Sequence, residues 1–210
     1  MKQVVVHPEH CLGCMQCMTA CAIAHSQTQT LFSAVLEEPV PKSRVHVGAG
    51  LFGEGFPNRC RHCEPAPCMS ACLPGAISRI PKTSTVYIDP DKCINCASCA
   101  MVCPFGVIRY HKDFTALNGK TIAIKCDNCH ERQIQGQIPA CVQACKSNAL
   151  TFEEPSEAMK RKTNEAARSV SSHSISSDPL SLKIGQIHLS PGFELHNVVK
   201  KSQIEIKNHE

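Results

Sequence analysis

The chain has 210 residues with no Trp, 4% aromatic residues and 16 Cys. That composition excludes a body held by a large apolar core, and leaves whatever the cysteines bind as the internal cross-link. The formal charge is +4 with cysteines counted as neutral. Metal–thiolate centres are themselves negative, so the loaded protein is mildly acidic and lacks the electrostatic motive for binding nucleic acid. No apolar run is long enough to span a bilayer, and no secretory or twin-arginine leader precedes the first cysteine. The expectation is a cytoplasmic protein of a reducing, anaerobic cell, with no direct membrane insertion.

In chain order, Val4–Val6 reads as a short strand and His7-Pro8 as a turn into the first quartet, Cys11, Cys14, Cys17 and Cys21, spaced C-x2-C-x2-C-x3-C. After Cys21, Ala22-Ile-Ala-His-Ser26 reads as a continuing helix. Residues 22–59 form a long insertion with Pro39, Pro41 and several glycines (Gly48, Gly50, Gly53, Gly55), expected to be irregular with a strand near Arg44–Val47. The second quartet, Cys60, Cys63, Cys68 and Cys72, widens one gap to four residues.

Val86–Cys93 then repeats Val4–Cys11 as strand, proline turn and ligand loop. The third quartet, Cys93, Cys96, Cys99 and Cys103, restores the first spacing and is followed by Pro104. Residues 112–124 are expected to be a loop around an Asn118-Gly119 turn. The fourth quartet, Cys126, Cys129, Cys141 and Cys145, widens the same gap to eleven residues, filled by a polar stretch ending at Pro139. Leu73–Ile77, Pro104–Ile108 and Lys146–Leu150 echo one another as helix end, turn and returning strand. Beyond residue 152, residues 155–168 read as a polar helix and 169–181 as a Ser-rich flexible linker. Residues 183–208 recover apolar alternation too sparse to bury a core, so that segment either stays disordered or lies along a partner as a strap.

Four quartets with no cysteine left over point to one chemistry. A [4Fe–4S] cube needs one thiolate per iron, and the run closed by Pro104 is the bacterial-ferredoxin signature. Three cysteines wrap the cube, and the fourth, placed at the start of a helix, ligates the other cluster of a pair, so that such motifs come in twos. Disulfides need an oxidising compartment and do not generate this spacing. Zinc sites pair two C-x2-C dyads and have no use for a third cysteine. A full thiolate complement leaves no vacancy for His62 or His130, which instead donate hydrogen bonds to sulfur or face solvent. Lys42, Arg44, Arg59, Arg61, Lys92 and Lys125, near the ligand loops, either offset cluster charge, meet a partner or form ordinary solvated surface. The unit is the β–loop–α–β element of a ferredoxin used repeatedly, an α+β fold.

Over residues 1–152 the layout resembles the four-cluster electron-transfer subunits of the dimethyl-sulfoxide-reductase, formate-dehydrogenase and hydrogenase families. The resemblance implies two tandem ferredoxin-like bi-cluster modules, the second inserted into the first. Residues 1–58 and 120–152 would carry motifs one and four, 59–119 motifs two and three, and 153–210 a tail. It further implies four ligand sets: Cys11/Cys14/Cys17/Cys145, Cys126/Cys129/Cys141/Cys21, Cys60/Cys63/Cys68/Cys103 and Cys93/Cys96/Cys99/Cys72.

A narrower resemblance is carried by Ala20–Ser26, Leu31–Ala34, Glu37–Val45 and Cys60-Arg-His-Cys-Glu-Pro-Ala-Pro-Cys68. These segments look like the CooF-type iron–sulfur subunit of carbon monoxide dehydrogenase systems. The resemblance implies an electron carrier without catalysis of its own. Its donor would be a CO dehydrogenase and its acceptor a hydrogenase or flavin oxidoreductase, the alternative being a formate dehydrogenase or hydrogenase complex. A regulatory module that only senses oxygen or iron needs fewer clusters, and no DNA-binding element is evident.

Overall fold

The computed structural model describes residues 2–50, 54–116 and 119–173. Gly53, Asn118, residues 174–181 of the Ser-rich segment and the 183–208 strap lie outside the described residues. The chain divides into a first unit, Met1–Thr163, and a second, Asn164–Glu210.

The first unit contains eight strands of four residues each, paired among the described residues as four two-stranded antiparallel sheets. β1 (Gln3–Val6) pairs with β8 (Leu150–Glu153), with Val6 opposite Leu150 and Gln3 opposite Glu153. β2 (His46–Ala49) pairs with β3 (Gly55–Asn58), β4 (Ile77–Ile80) with β5 (Thr85–Ile88), and β6 (Arg109–Lys112) with β7 (Thr121–Ile124). β-Branched residues dominate the strands that become buried, as in Val4-Val5-Val6 and Thr85-Val86.

Between them lie α1 (Gln16–Ala24), α2 (Leu31–Ala34), α3 (Pro67–Ser70), α4 (Ser98–Met101), α5 (His130–Ile134) and α6 (Ala140–Ala144), with a 3-10 turn at Pro8–His10. Pro67 opens α3, where its missing N–H and fixed φ cost nothing. α1 packs against α6, and α3 against α4. α7 (Pro155–His173) begins in the first unit, where Arg161 clasps Glu153 of β8 through two 2.9 Å hydrogen bonds and Lys162 pairs with Glu9.

Hairpins and helices this short are marginal alone. What they share is a core built around cysteine. One cluster of buried residues joins Val4, Val45 and Leu150 to Cys17, Cys21 and Cys141. A second joins Ile77, Val86, Ile108 and Ile122 to Cys93 and Cys99. A third is Cys60, Val107 and Cys126.

Four expectations are corrected. The third cysteine of each quartet, not the fourth, opens a helix: Cys17, Cys68, Cys99 and Cys141 are each its second residue. The third cysteine lies three residues past the second in motifs one and three, five in motif two and twelve in motif four, and in each it turns the loop into the helix; the fourth falls about a turn later, at or past the helix end in all but α1. Residues 121–124 are a strand, because β6 offers an open edge to Thr121-Ile-Ala-Ile. The strand expected near Arg44–Val47 starts at His46. Residues 169–173 continue α7 instead of beginning a linker.

Candidate metal centres

Each ligand loop is shaped by left-handed backbone positions. The residue before the second cysteine has positive φ in all four motifs: Gly13, His62, Asn95 and Asn128. Glycine and asparagine tolerate this region best. In motifs one and three the residue after that cysteine, Met15 or Ala97, is left-handed too. Such alternation turns successive backbone N–H groups toward one point and makes an anion-binding concavity. The returning turns share a third such position, three residues past the fourth cysteine: Gly75, Gly106 and Asn148. Cys21 has none, because α1 runs on to Ala24.

The sixteen thiols fall together in four neighbourhoods. Burial, then the thiols of Cys145, Cys11 and Cys14, acts on Cys17; backbone hydrogen bonding offsets part of this, and the net result lies at about 11. Burial, then Cys126, drives Cys141 well up, with Cys21 and Cys129 adding to it. Burial and the Asp127 charge push Cys129 up to about 12, again with Cys126 and Cys21 nearby. Cys60, Cys63, Cys68 and Cys103 line one small apolar hollow, and Cys72, Cys93, Cys96 and Cys99 another. Neighbouring buried thiols that raise one another's pKa cannot all ionise unaided. A cationic iron core is the partner that lets them do so, and four sulfurs per neighbourhood is the donor set a [4Fe–4S] cube requires.

Hydrogen bonds to sulfur are already in place. Arg44 N–H donates to Cys21 Sγ at 3.3 Å, Asn128 N–H to Cys126 Sγ at 3.4 Å, His62 N–H to Cys60 Sγ at 3.4 Å and Ala123 N–H to Cys93 Sγ at 3.5 Å. The Tyr110 hydroxyl lies 3.2 Å from Cys99 Sγ. Burial raises the Cys60 thiol, but the His62 ring and the Lys125 ammonium outweigh it and leave the thiol at about 7. Cys14 and Cys96 are exposed, whereas Cys17, Cys21, Cys60, Cys93, Cys99, Cys126, Cys129 and Cys141 are buried.

A network that the sequence did not reveal braces motif four. Asp127, between Cys126 and Cys129, accepts from His25 Nε2 at 3.0 Å and from Arg44 at 2.8 Å. Burial lowers the His25 pKa, but the Asp127 charge reverses this and lifts it to about 10. Burial raises the Asp127 carboxyl, and His25 and Arg44 then hold it well below the usual carboxylate range. His62 uses Nδ1 to accept from Val86 N–H at 3.1 Å, and His130 stacks edge-on against Tyr87. Of the basic residues singled out in the sequence, Arg59 and Lys125 are buried, Lys42 and Lys92 are exposed, and Arg61 lies over the Phe56 and Phe105 rings.

Small antiparallel sheets, short helices and grouped thiols define an iron–sulfur electron-transfer protein. Residues 51–155 match the family described as 4Fe-4S dicluster domain, and the chain belongs to that family. It is 37% identical over 153 residues to an iron-sulfur protein of Rhodospirillum rubrum, covering 70% of this chain and 79% of that one. It is 33% identical over 156 residues to the electron transport protein HydN of Escherichia coli K12, covering 70% and 85%. Protein NrfC of the same bacterium is 35% identical over 150 residues, covering 70% and 63%. Among the described residues no helix is long and apolar enough to cross a membrane.

Proposed function

We propose that the chain is a relay carrying four [4Fe–4S] clusters in two nested bi-cluster modules, held by the four ligand sets named above. The observation that carries this reading is that each fourth cysteine lies beside the first three of another motif. α1 lies beside α6, and Cys145 joins Cys11, Cys14 and Cys17 while Cys21 joins Cys126, Cys129 and Cys141. Cys103 lies likewise with Cys60, Cys63 and Cys68, and Cys72 with Cys93, Cys96 and Cys99. Residues 1–58 and 120–152 form the outer module, 59–119 the inserted one, and 153–210 the tail. Exposed Cys14 and Cys96 mark the two ends of the relay, and the sets of Cys126 and Cys60, whose first cysteines share one buried cluster with Val107, its middle. The clusters, when bound, supply one-electron transfer; the chain supplies ligands, spacing and hydrogen bonds to sulfur. Anaerobic iron and sulfide determination should give about sixteen iron atoms per chain, and a count near eight would overturn the reading.

The donor is a CO dehydrogenase and the acceptor a hydrogenase or flavin oxidoreductase, a reading supported by the 25–45 insertion. The alternative is a formate dehydrogenase or hydrogenase complex. Mixing the protein with each donor enzyme and its substrate, and following bleaching of the visible absorption, separates them. Reduction by formate or hydrogen but not by CO would remove CO dehydrogenase.

A further inference from the structure

Two cations sit where the two modules meet. Arg59 and Lys125 are 2% and 4% exposed, and each directly precedes the first cysteine of a motif, Cys60 and Cys126. Each reaches the other's ligand set. Arg59 donates to Cys126 Sγ at 3.5 Å, while also holding Asn128 Oδ1 at 3.0 Å and the Val4 carbonyl at 2.8 Å. Lys125 donates to the carbonyls of Val86 and Cys126 and lines the hollow of Cys60, Cys63, Cys68 and Cys103. Cys60 and Cys126 themselves share one small core with Val107.

None of these hydrogen bonds goes to a carboxylate, and Arg59 Nε has no partner among the described residues. A buried cation without a counter-charge is costly, so its compensation must come from the sulfur sites it faces. The equivalent positions in motifs one and three are different: His10 and Lys92 are exposed, and Lys92 pairs with Asp89 at 3.2 Å.

Resting on the four-cluster reading, we propose that Arg59 and Lys125 are positioning residues for electrons: a crossed pair of buried cations that raises the potentials of the two inner clusters above those of the two outer ones. The physical ground is charge. Reduction adds one electron to an already negative centre, and a fixed cation in a low-dielectric site favours the more negative state. The outer clusters, preceded by exposed His10 and by solvated Lys92, receive little of this because water screens a solvated charge. The inner pair is then a shared resting place for electrons arriving from either end.

An electron paramagnetic resonance redox titration of the intact protein tests this, with iron content measured on each sample. In the native chain two clusters should titrate at higher potential than the other two; a single common potential would overturn the proposal. Arg59→Gln and Lys125→Gln should each make an inner cluster about tenfold harder to reduce, which is about 59 mV for one electron. The outer pair should stay unmoved. Arg59→Lys, which keeps the charge, should largely restore the native value, and Lys92→Gln, which removes a solvated charge, should change nothing. Full iron content with unshifted potentials in both glutamine variants refutes the role of the cations while leaving the four-cluster reading intact. Fewer than four cubes in the native protein refutes that reading instead. If a glutamine variant loses iron, the native titration and the other variant still decide.

Discussion

Gly55 on β3 approaches the first ligand loop so closely that a β-carbon there would lie 2.6 Å from Cys11 Sγ and 2.8 Å from the Gly13 nitrogen. The insertion between motifs one and two is therefore a wall of the first metal centre. Two of the three atoms met are backbone, which cannot swing aside. Gly55→Ala should displace the Cys11 loop and lower iron from about sixteen toward about twelve atoms per chain, one cube fewer. Full iron content with unchanged air sensitivity would show that the loop yields freely.

Asp127 neutralises two cations at once. In Asp127→Asn, largely buried His25 loses its carboxylate partner and Arg44 keeps only Asp113 at 3.9 Å, a change of the class that costs about 3–5 kcal/mol. Even if only half of this falls on the unfolding barrier, cluster bleaching in guanidinium chloride should accelerate about tenfold. Bleaching at the native rate would mean that water compensates the pair.

Glu153 fastens the start of α7. The Arg161 hydrogen bonds hold its carboxyl down at about 2, against an ordinary 4.5. A lowered acid stabilises the fold fully above its unfolded pKa, and the contribution is lost as pH falls through the folded value. Attachment of α7 should thus weaken between about pH 4.5 and about 2. Glu153→Gln should reproduce the acid-loosened state at neutral pH, where the clusters are not acid-labile. Limited proteolysis between residues 155 and 163 reports it; a variant as resistant as the native chain contradicts the assignment.

Iron removal should unfold the first unit. All three buried clusters contain cysteine, so chelation opens every part of the core at once. Far-ultraviolet circular dichroism should lose most native signal after anaerobic chelation. A spectrum that persisted would mean that the hairpins hold each other without metal.

The sixteen cysteines were legible as candidate ligands because thiolate chemistry allows few spacings. The strands read from Val4 and Val86, which start one residue earlier at Gln3 and Thr85, and the echoes leading into β4 at Ile77 and β8 at Leu150 were legible because β-branched residues and turn residues alternate there. Gly13, Asn95 and Asn128 announce left-handed positions by residue type, whereas His62 at the same place does not. β7 was missed because a hairpin partner decided it, not local polarity. Asp127 looked like any loop acid: its partners Arg44 and His25 are 83 and 102 residues away, and no local pattern encodes them. Arg59 and Lys125 stand in the sequence like His10 and Lys92, one residue before a cysteine, and only burial separates them.

The pairing of β1 with β8 also fixes the order in which a growing chain can be completed. β4 meets β5, and β6 meets β7, as soon as each hairpin has emerged, but β1 has no mate until residues 150–153 are made. The first motif, walled on one side early by β3, must therefore wait for α6 and β8 to close it through nearly the whole synthesis of the body. Maturation runs from the middle outward, and the earliest cysteines to be translated are among the last to be enclosed.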